Sequence, residues 1–159
     1  MGWDIHFYGN HTLGEILEDE KFKIDFNEEE NLAYLYVLDE NGKECGVCLP
    51  DITKDNYKEE YPSYGRAPYG AGTLSLMWEL YVKFGIVFAD TCLEDYYYLA
   101  DFCEDDKERS ELFDHCCAEE MTWHFGDMLD KDSELWKTIE RTQPLYERLL
   151  KEYKEDRGE

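Results

Sequence analysis

Residues 32–50 read LAYLYVLDENGKECGVCLP, and this stretch decides the fold class. Leu32 to Leu38 is an apolar run rich in Tyr, Leu and Val, residue types that suit a pleated, half-buried surface. Asp39-Glu40-Asn41-Gly42-Lys43 follows, and Asn-Gly tolerates the positive φ that hairpin turns require. Glu44 to Pro50 then returns as the partner strand. Toward the N-terminus, Lys21 to Phe26 alternates with Phe22, Ile24 and Phe26 on one face. Trp3 to Tyr8 sets Trp3, Ile5 and Phe7 against Asp4, His6 and Tyr8. Between these two strands, Thr12-Leu13-Gly14-Glu15 has the spacing of a capping box, which opens a short helix with Leu13, Ile16 and Leu17 inward. The first part is therefore expected to be an antiparallel β-meander of three or four strands with one short helix.

Downstream, residues 57–72 hold Pro62, Pro68, Gly65, Gly70 and Gly72 together with tyrosines 57, 61, 64 and 69. That composition predicts a loop separating a β-rich part (1–56) from a helical part (73–155) within one domain of 159 residues. Leu74 to Phe84 fits two periods. The even positions from 74 to 88 are apolar, as in a strand, yet Ser75, Glu79 and Lys83 recur every four residues as a polar stripe. The helical reading is preferred: Thr73 is placed to cap its start, Glu79 to pair with Lys83, and Gly85 to end it, with Ile86 to Phe88 as a short strand beyond. From Leu93 the period is helical. Leu93, Tyr96, Tyr97, Ala100 and Cys103 form one stripe, and Phe113, Cys116, Cys117, Met121, His124, Phe125 and Met128 the next. Asp132 or Ser133 can cap a helix carrying Trp136 and Ile139, and Thr142 with Pro144 is expected to restart a last one carrying Tyr146, Leu149, Leu150 and Tyr153. The fold class is α+β, with about four helices in the C-terminal half.

Charge is the unusual feature. The chain has 39 acids against 16 Lys and Arg, a net charge of −23. Residues 1–50 hold 12 acids and 3 bases, residues 51–91 hold 6 and 4, and residues 92–159 hold 21 and 9. A field of this sign excludes nucleic-acid phosphates and anionic membrane surfaces as direct partners. It is also well beyond the magnitude of about 2–8 that suffices for the solubility of a small domain. Asp101, Asp105, Glu108 and Glu111 recur at spacings of three and four, and on one continuous helix they would form a line of negative charge comparable to a phosphate backbone. Glu28, Glu29 and Glu30 make a second, compact cluster. The 13 tyrosines exceed what a core readily holds. Tyr61, Tyr64 and Tyr98 are the aromatic candidates for contact with a partner's Arg and Lys side chains.

Chemical motifs are incomplete. Cys45-Gly46-Val47-Cys48 has C-x-x-C spacing, and His115-Cys116-Cys117 could supply further zinc ligands, but a regular strand would point Cys45 and Cys48 to opposite faces. Gly65 to Gly70 opens like a P-loop and then lacks its Lys-Ser/Thr. Cys116, Glu120 and His124, spaced i, i+4, i+8, are the one catalytic-looking set. The six cysteines, with no basic n-region or apolar h-region at Met1 to His6, suit reduced thiols and a cytoplasmic setting, in the cell of origin or an infected host.

The composition thus places the chain with small acidic inhibitors of nucleic-acid enzymes, of the anti-restriction, anti-CRISPR and toxin-immunity type. The expectation is a non-catalytic nucleic-acid mimic without a cofactor that occupies the basic channel of a nuclease or similar protein. The competing expectations are a zinc- or metal-dependent small enzyme using the helical Cys, His and Glu, and an acidic subunit of a larger complex.

Overall fold

The computed structural model describes residues 2–68, 72–90 and 94–158. The chain forms two compact units, Met1–Thr91 and Cys92–Glu159.

The fold is α+β, as expected, and the first unit holds the sheet. Its strands are β1 (Gly2–Tyr8), β2 (Lys23–Asn27), β3 (Leu32–Leu38), β4 (Glu44–Pro50), β5 (Tyr64–Pro68) and β6 (Val87–Asp90), and its helices are α1 (Leu13–Ile16) and α2 (Gly72–Phe84). They make one six-stranded antiparallel sheet in the order β2-β3-β4-β5-β1-β6. The expected hairpin is present, with Leu32 opposite Pro50 and Leu38 opposite Glu44. Its turn has a three-residue tip. The Gly42 N–H donates to the Asp39 carbonyl at 2.9 Å, Gly42 has φ +78°, and the Asp39 carboxylate accepts from the Asn41 and Lys43 N–H groups, each at 2.8 Å. This is a type I turn followed by a left-handed glycine.

Six strands exceed the three or four expected of the meander: β6 is the short strand expected after the helix, at Val87–Asp90, and β5 is the one not anticipated. Residues 57–72, expected as loop, contain β5, with Gly2 opposite Pro68 and His6 opposite Tyr64. The glycine and prolines there mislead because β5 draws its stability from β1 on one side and β4 on the other. Gly65 sits against Val47 and the Cys48 carbonyl, where a side chain would not fit. β1 lies between β5 and β6, so β5-α2-β6 is a crossover that straddles the first strand of the chain.

Alternation sends Ile5, Phe7, Ala33, Leu35, Val37, Cys45, Val47 and Leu49 to a buried face, and α2 packs against the sheet. The helical reading of 74–84 holds because Leu76, Met77 and Leu80 are buried at helical spacing while Val82, apolar at an even position, is exposed. Two local expectations are corrected. Thr73 is not the cap: it lies inside α2, buried, and its hydroxyl donates to the Gly46 carbonyl at 3.3 Å. Glu79 and Lys83 do not pair with each other. Glu79 binds Lys21 at 2.6 Å and Lys83 binds Asp19 at 2.7 Å, so α2 grips the turn before β2 by two ion pairs. The Thr12–Glu15 capping box forms as expected, with reciprocal bonds of 3.2 and 3.1 Å.

The second unit is helical: α3 (Glu94–Leu99), a 3₁₀ turn (Ala100–Phe102), α4 (Asp106–Phe125), a second 3₁₀ turn (Gly126–Met128) and α5 (Glu134–Asp156). Leu99, Cys103, Leu112, Cys116 and Leu149 form its core, with Tyr96, Phe102, Leu145, Tyr146 and Tyr153 around them. Three readings change. Thr142 and Pro144 do not restart a helix: α5 is continuous, capped by Ser133, with Pro144 inside it on an exposed face. There the carbonyl that loses its partner can be hydrated. Tyr97 and Met128 face outward, not into the core. Leu93 lies outside the described residues.

At Gly46 an added Cβ would meet the Leu35 carbonyl, Tyr36 Cβ at 2.6 Å and Tyr34 Cζ at 2.8 Å. Gly46→Ala is therefore expected to lower stability by about 2 kcal/mol through overpacking. Gly42→Ala, whose Cβ meets nothing within 4 Å, is expected to cost about 1 kcal/mol from the φ requirement alone. Urea denaturation midpoints would rank the two.

Candidate functional site

The acids singled out in the sequence fall in both units. Glu28, Glu29 and Glu30 form the tight turn between β2 and β3, where the Asn27 side chain accepts the Glu30 N–H at 3.1 Å and Asn31 takes φ +54°. This turn presents all three carboxylates to solvent, and Lys54 approaches Glu28 at 3.6 Å. Tyr61 is exposed on the segment before β5. Tyr64 lies on β5, and its hydroxyl donates to Asp4 at 2.6 Å, which raises the phenol above its ordinary pKa.

In the second unit the expected continuous stripe is broken. Asp101 lies exposed in the 3₁₀ turn, Cys103 is extended at its end, and α4 starts only at Asp106. Asp105 is the N-cap of α4 and accepts the Glu108 N–H at 2.9 Å, while the Glu108 carboxylate accepts the Glu104 N–H at 2.9 Å. Together they make a capping arrangement of the D-x-x-E kind, a sequence signal that the charge reading passed over. Glu108 also binds Arg148 of α5 at 2.6 Å, and Glu111 lies 3.9 Å from Arg141 of α5. The Arg148 contact, with the Glu104 N–H behind it, holds the Glu108 carboxyl below its ordinary pKa. The physical reason for the break is that Asp105 and Glu108 start a helix and clamp it to its neighbour. Of the four, Asp101 and Asp105 are exposed acids with no ion pair among the described residues, and Asp105 is engaged as the cap of α4.

The catalytic-looking set also divides. Glu120 and His124 are 3.5 Å apart, but Cys116 belongs to the core, and burial pushes its thiol far above the ordinary range. Cys117 is pushed up to about 12, again by burial first. A nucleophilic cysteine requires a thiolate, and these sites disfavour one. Cys45 is buried and Cys48 half-buried on β4. Among the described residues no three His, Cys, Asp or Glu side chains come together to hold a metal ion. No described helix is long and apolar enough to cross a membrane.

His115 is fully buried between α4 and α5. Thr142 Oγ1 donates to the Thr138 carbonyl at 2.7 Å, so toward His115 Nδ1, at 2.8 Å, it can only accept. Nδ1 therefore carries a proton. The ring stacks on Tyr146 at 4.4 Å, and Tyr146 donates to Asp95 of α3 at 3.0 Å. His115 Nε2 lies 3.1 Å from Glu119 yet makes no hydrogen bond. In the neutral ring with its proton on Nδ1, Nε2 and the carboxylate are both acceptors. This column is polar packing that joins three helices.

Several exposed rings were not selected from the sequence. Trp123 is 80% exposed, Tyr97 is 77% exposed, and Trp136 is exposed as well. Helical periodicity marks apolar residues as core, so it carries no signal for aromatics placed deliberately in water.

No protein-family model matches this chain, and no curated protein or solved structure matches it significantly.

Because the Glu108 pKa is lowered on folding, its contribution is present above the unfolded value near 4.5 and is lost as pH falls through the folded value. Glu108→Gln should cost about 1 kcal/mol at pH 7, screening included, and the gap to the parent should close as pH drops below about 4.5. Thr142→Val, which keeps the shape but strands the His115 donor, should cost about 2 kcal/mol. Denaturation midpoints at several pH values would test both.

Proposed function

We propose that this protein is a non-catalytic acidic inhibitor that binds the basic channel of a nuclease or another nucleic-acid-binding protein. The observation that carries the reading is the charge balance. With 39 acids and 16 Lys and Arg, even complete internal pairing would leave a surplus of 23 negative charges on two folded units. Such a surplus opposes compaction, and its value lies in long-range attraction to a cationic surface. The exposed rings support the same reading, because aromatic side chains beside carboxylates suit a groove lined with Arg and Lys.

The contact residues under this proposal are Glu28, Glu29 and Glu30, Asp101, and the rings Tyr61 and Tyr98. Tyr64 is a partial member, since its hydroxyl is committed to Asp4. Asp105, Glu108 and Glu111 act chiefly within the second unit through the cap and the α5 arginines, and add to the field rather than to direct contact. The partner is a protein, the inhibitor brings no cofactor, and the compartment is the cytoplasm of the producing or an infected cell. The buried thiols and the absence of a metal-holding cluster among the described residues give the metalloenzyme reading no support.

The test is capture from lysate on immobilised protein at 50 mM salt, followed by release with duplex DNA. Nucleic-acid-binding proteins should be retained, released by DNA and not by neutral dextran, and bound roughly ten-fold or more weakly at 500 mM salt. The double reversal Glu29→Lys with Asp101→Lys should lower retention with the fold intact by circular dichroism. Retention unchanged at 500 mM, or insensitive to DNA, would overturn the proposal.

A further inference from the structure

On one side of the second unit, rings from three elements touch in sequence. Tyr97 meets Tyr98 edge-on at 5.6 Å, Tyr98 meets Tyr153 of α5 at 5.8 Å, and Tyr153 meets Phe102 of the 3₁₀ turn at 6.2 Å. The inner end of this ladder is anchored, since Phe102 and Tyr153 pack on the core. Its outer end is in water, where Tyr97 is 77% and Tyr98 47% exposed. Exposed acids flank it: Asp101 one helical turn from Tyr98, and Asp156 one turn from Tyr153.

One cation is already seated there. The guanidinium of Arg157, just past α5, lies over the Tyr153 ring at 5.4 Å from its centre and donates to the Tyr153 hydroxyl at 2.6 Å. A planar guanidinium can stack on a ring and hydrogen-bond in its plane at once, whereas an ammonium interacts as a point charge. The inner ring is thus occupied by the chain's own arginine, while the two outer rings offer the same chemistry with no cation over them among the described residues.

We propose that the Tyr97–Tyr98–Tyr153 ladder is a docking site for arginine side chains of a basic protein partner, with Arg157 as an internal stand-in. The inference rests on the proposed function and sharpens it. General charge attraction brings the partner in, and the ladder selects arginine over lysine. The acids beside the rings neutralise the incoming guanidinium, and the ring faces supply its contact surface. Arg157 competes for the innermost position and sets the affinity of the site below what the rings alone would give.

The probes are fluorescent hexa-arginine and hexa-lysine peptides, which carry equal charge, measured by anisotropy at low and moderate salt. Hexa-arginine should bind the parent protein roughly five-fold more tightly than hexa-lysine. The double variant Tyr97→Ala with Tyr98→Ala should bring that ratio close to one and leave hexa-lysine affinity within about two-fold. Both rings are exposed, so folding is retained, with circular dichroism as the check. Arg157→Lys keeps the charge and removes the planar stand-in, so it should raise the ratio. Equal binding of the two peptides by the parent, or an unchanged ratio in the double variant, would overturn the ladder while salt-sensitive binding of hexa-lysine kept the proposed function standing. If neither peptide bound at low salt, both readings would fall together.

Discussion

Carboxylates outnumber cations in this chain by more than two to one, and that scarcity of positive charge shapes the structure. Several bases join segments distant in sequence. Lys21 and Lys83 tie α2 to the turn before β2, Arg66 reaches Asp4 between β5 and β1, and Arg148 and Arg141 tie α5 to α4. Each is a modest interaction, because exposed pairs are screened. Removing one base nevertheless does more than remove a contact, since it returns another carboxylate to a molecule already crowded with them. Apolar burial provides the cohesion, and the few cations decide which acidic elements can lie side by side.

Much of the architecture could be read from the residues. The hairpin at 32–50, the capping box at Thr12 and the helix over 74–84 follow from alternation, spacing and turn chemistry, all local signals. β5 could not be read this way. Tyr64 to Pro68 has the composition of a loop, and its strand character comes from β1 and β4, partners far away in the chain. The continuity of α5 was hidden for a related reason: Pro144 ends most helices, but here it lies on an exposed face where the lost bond can be replaced by water.

The acidic residues show a different kind of ambiguity. Spacing alone cannot tell a carboxylate that addresses an outside partner from one that caps a helix. Asp105 and Glu108 had the right intervals for a charged stripe, and those same intervals define a cap. Their surroundings resolve them, with the Glu104 and Glu108 N–H groups on one side and Arg148 on the other. The exposed tyrosines posed the inverse problem. Tyr97 fell at a core interval and lies in water, because α3 is short and its two tyrosine neighbours supply the inward contacts: Tyr96 packs on the core and Tyr98 leans on Tyr153.

The place of β1 in the sheet bears on the order of assembly. It precedes the other five strands of this sheet in the chain, yet both of its neighbours, β5 and β6, come much later. During translation the β2-β3-β4 meander can pair locally, while the earliest segment waits with Ile5 and Phe7 uncovered. Closure then demands contacts of long sequence separation, the kind that slow folding. A nascent chain halted before residue 87 would leave β1 unpaired along the edge that β6 later covers, a form open to capture by chaperones or to pairing with another copy.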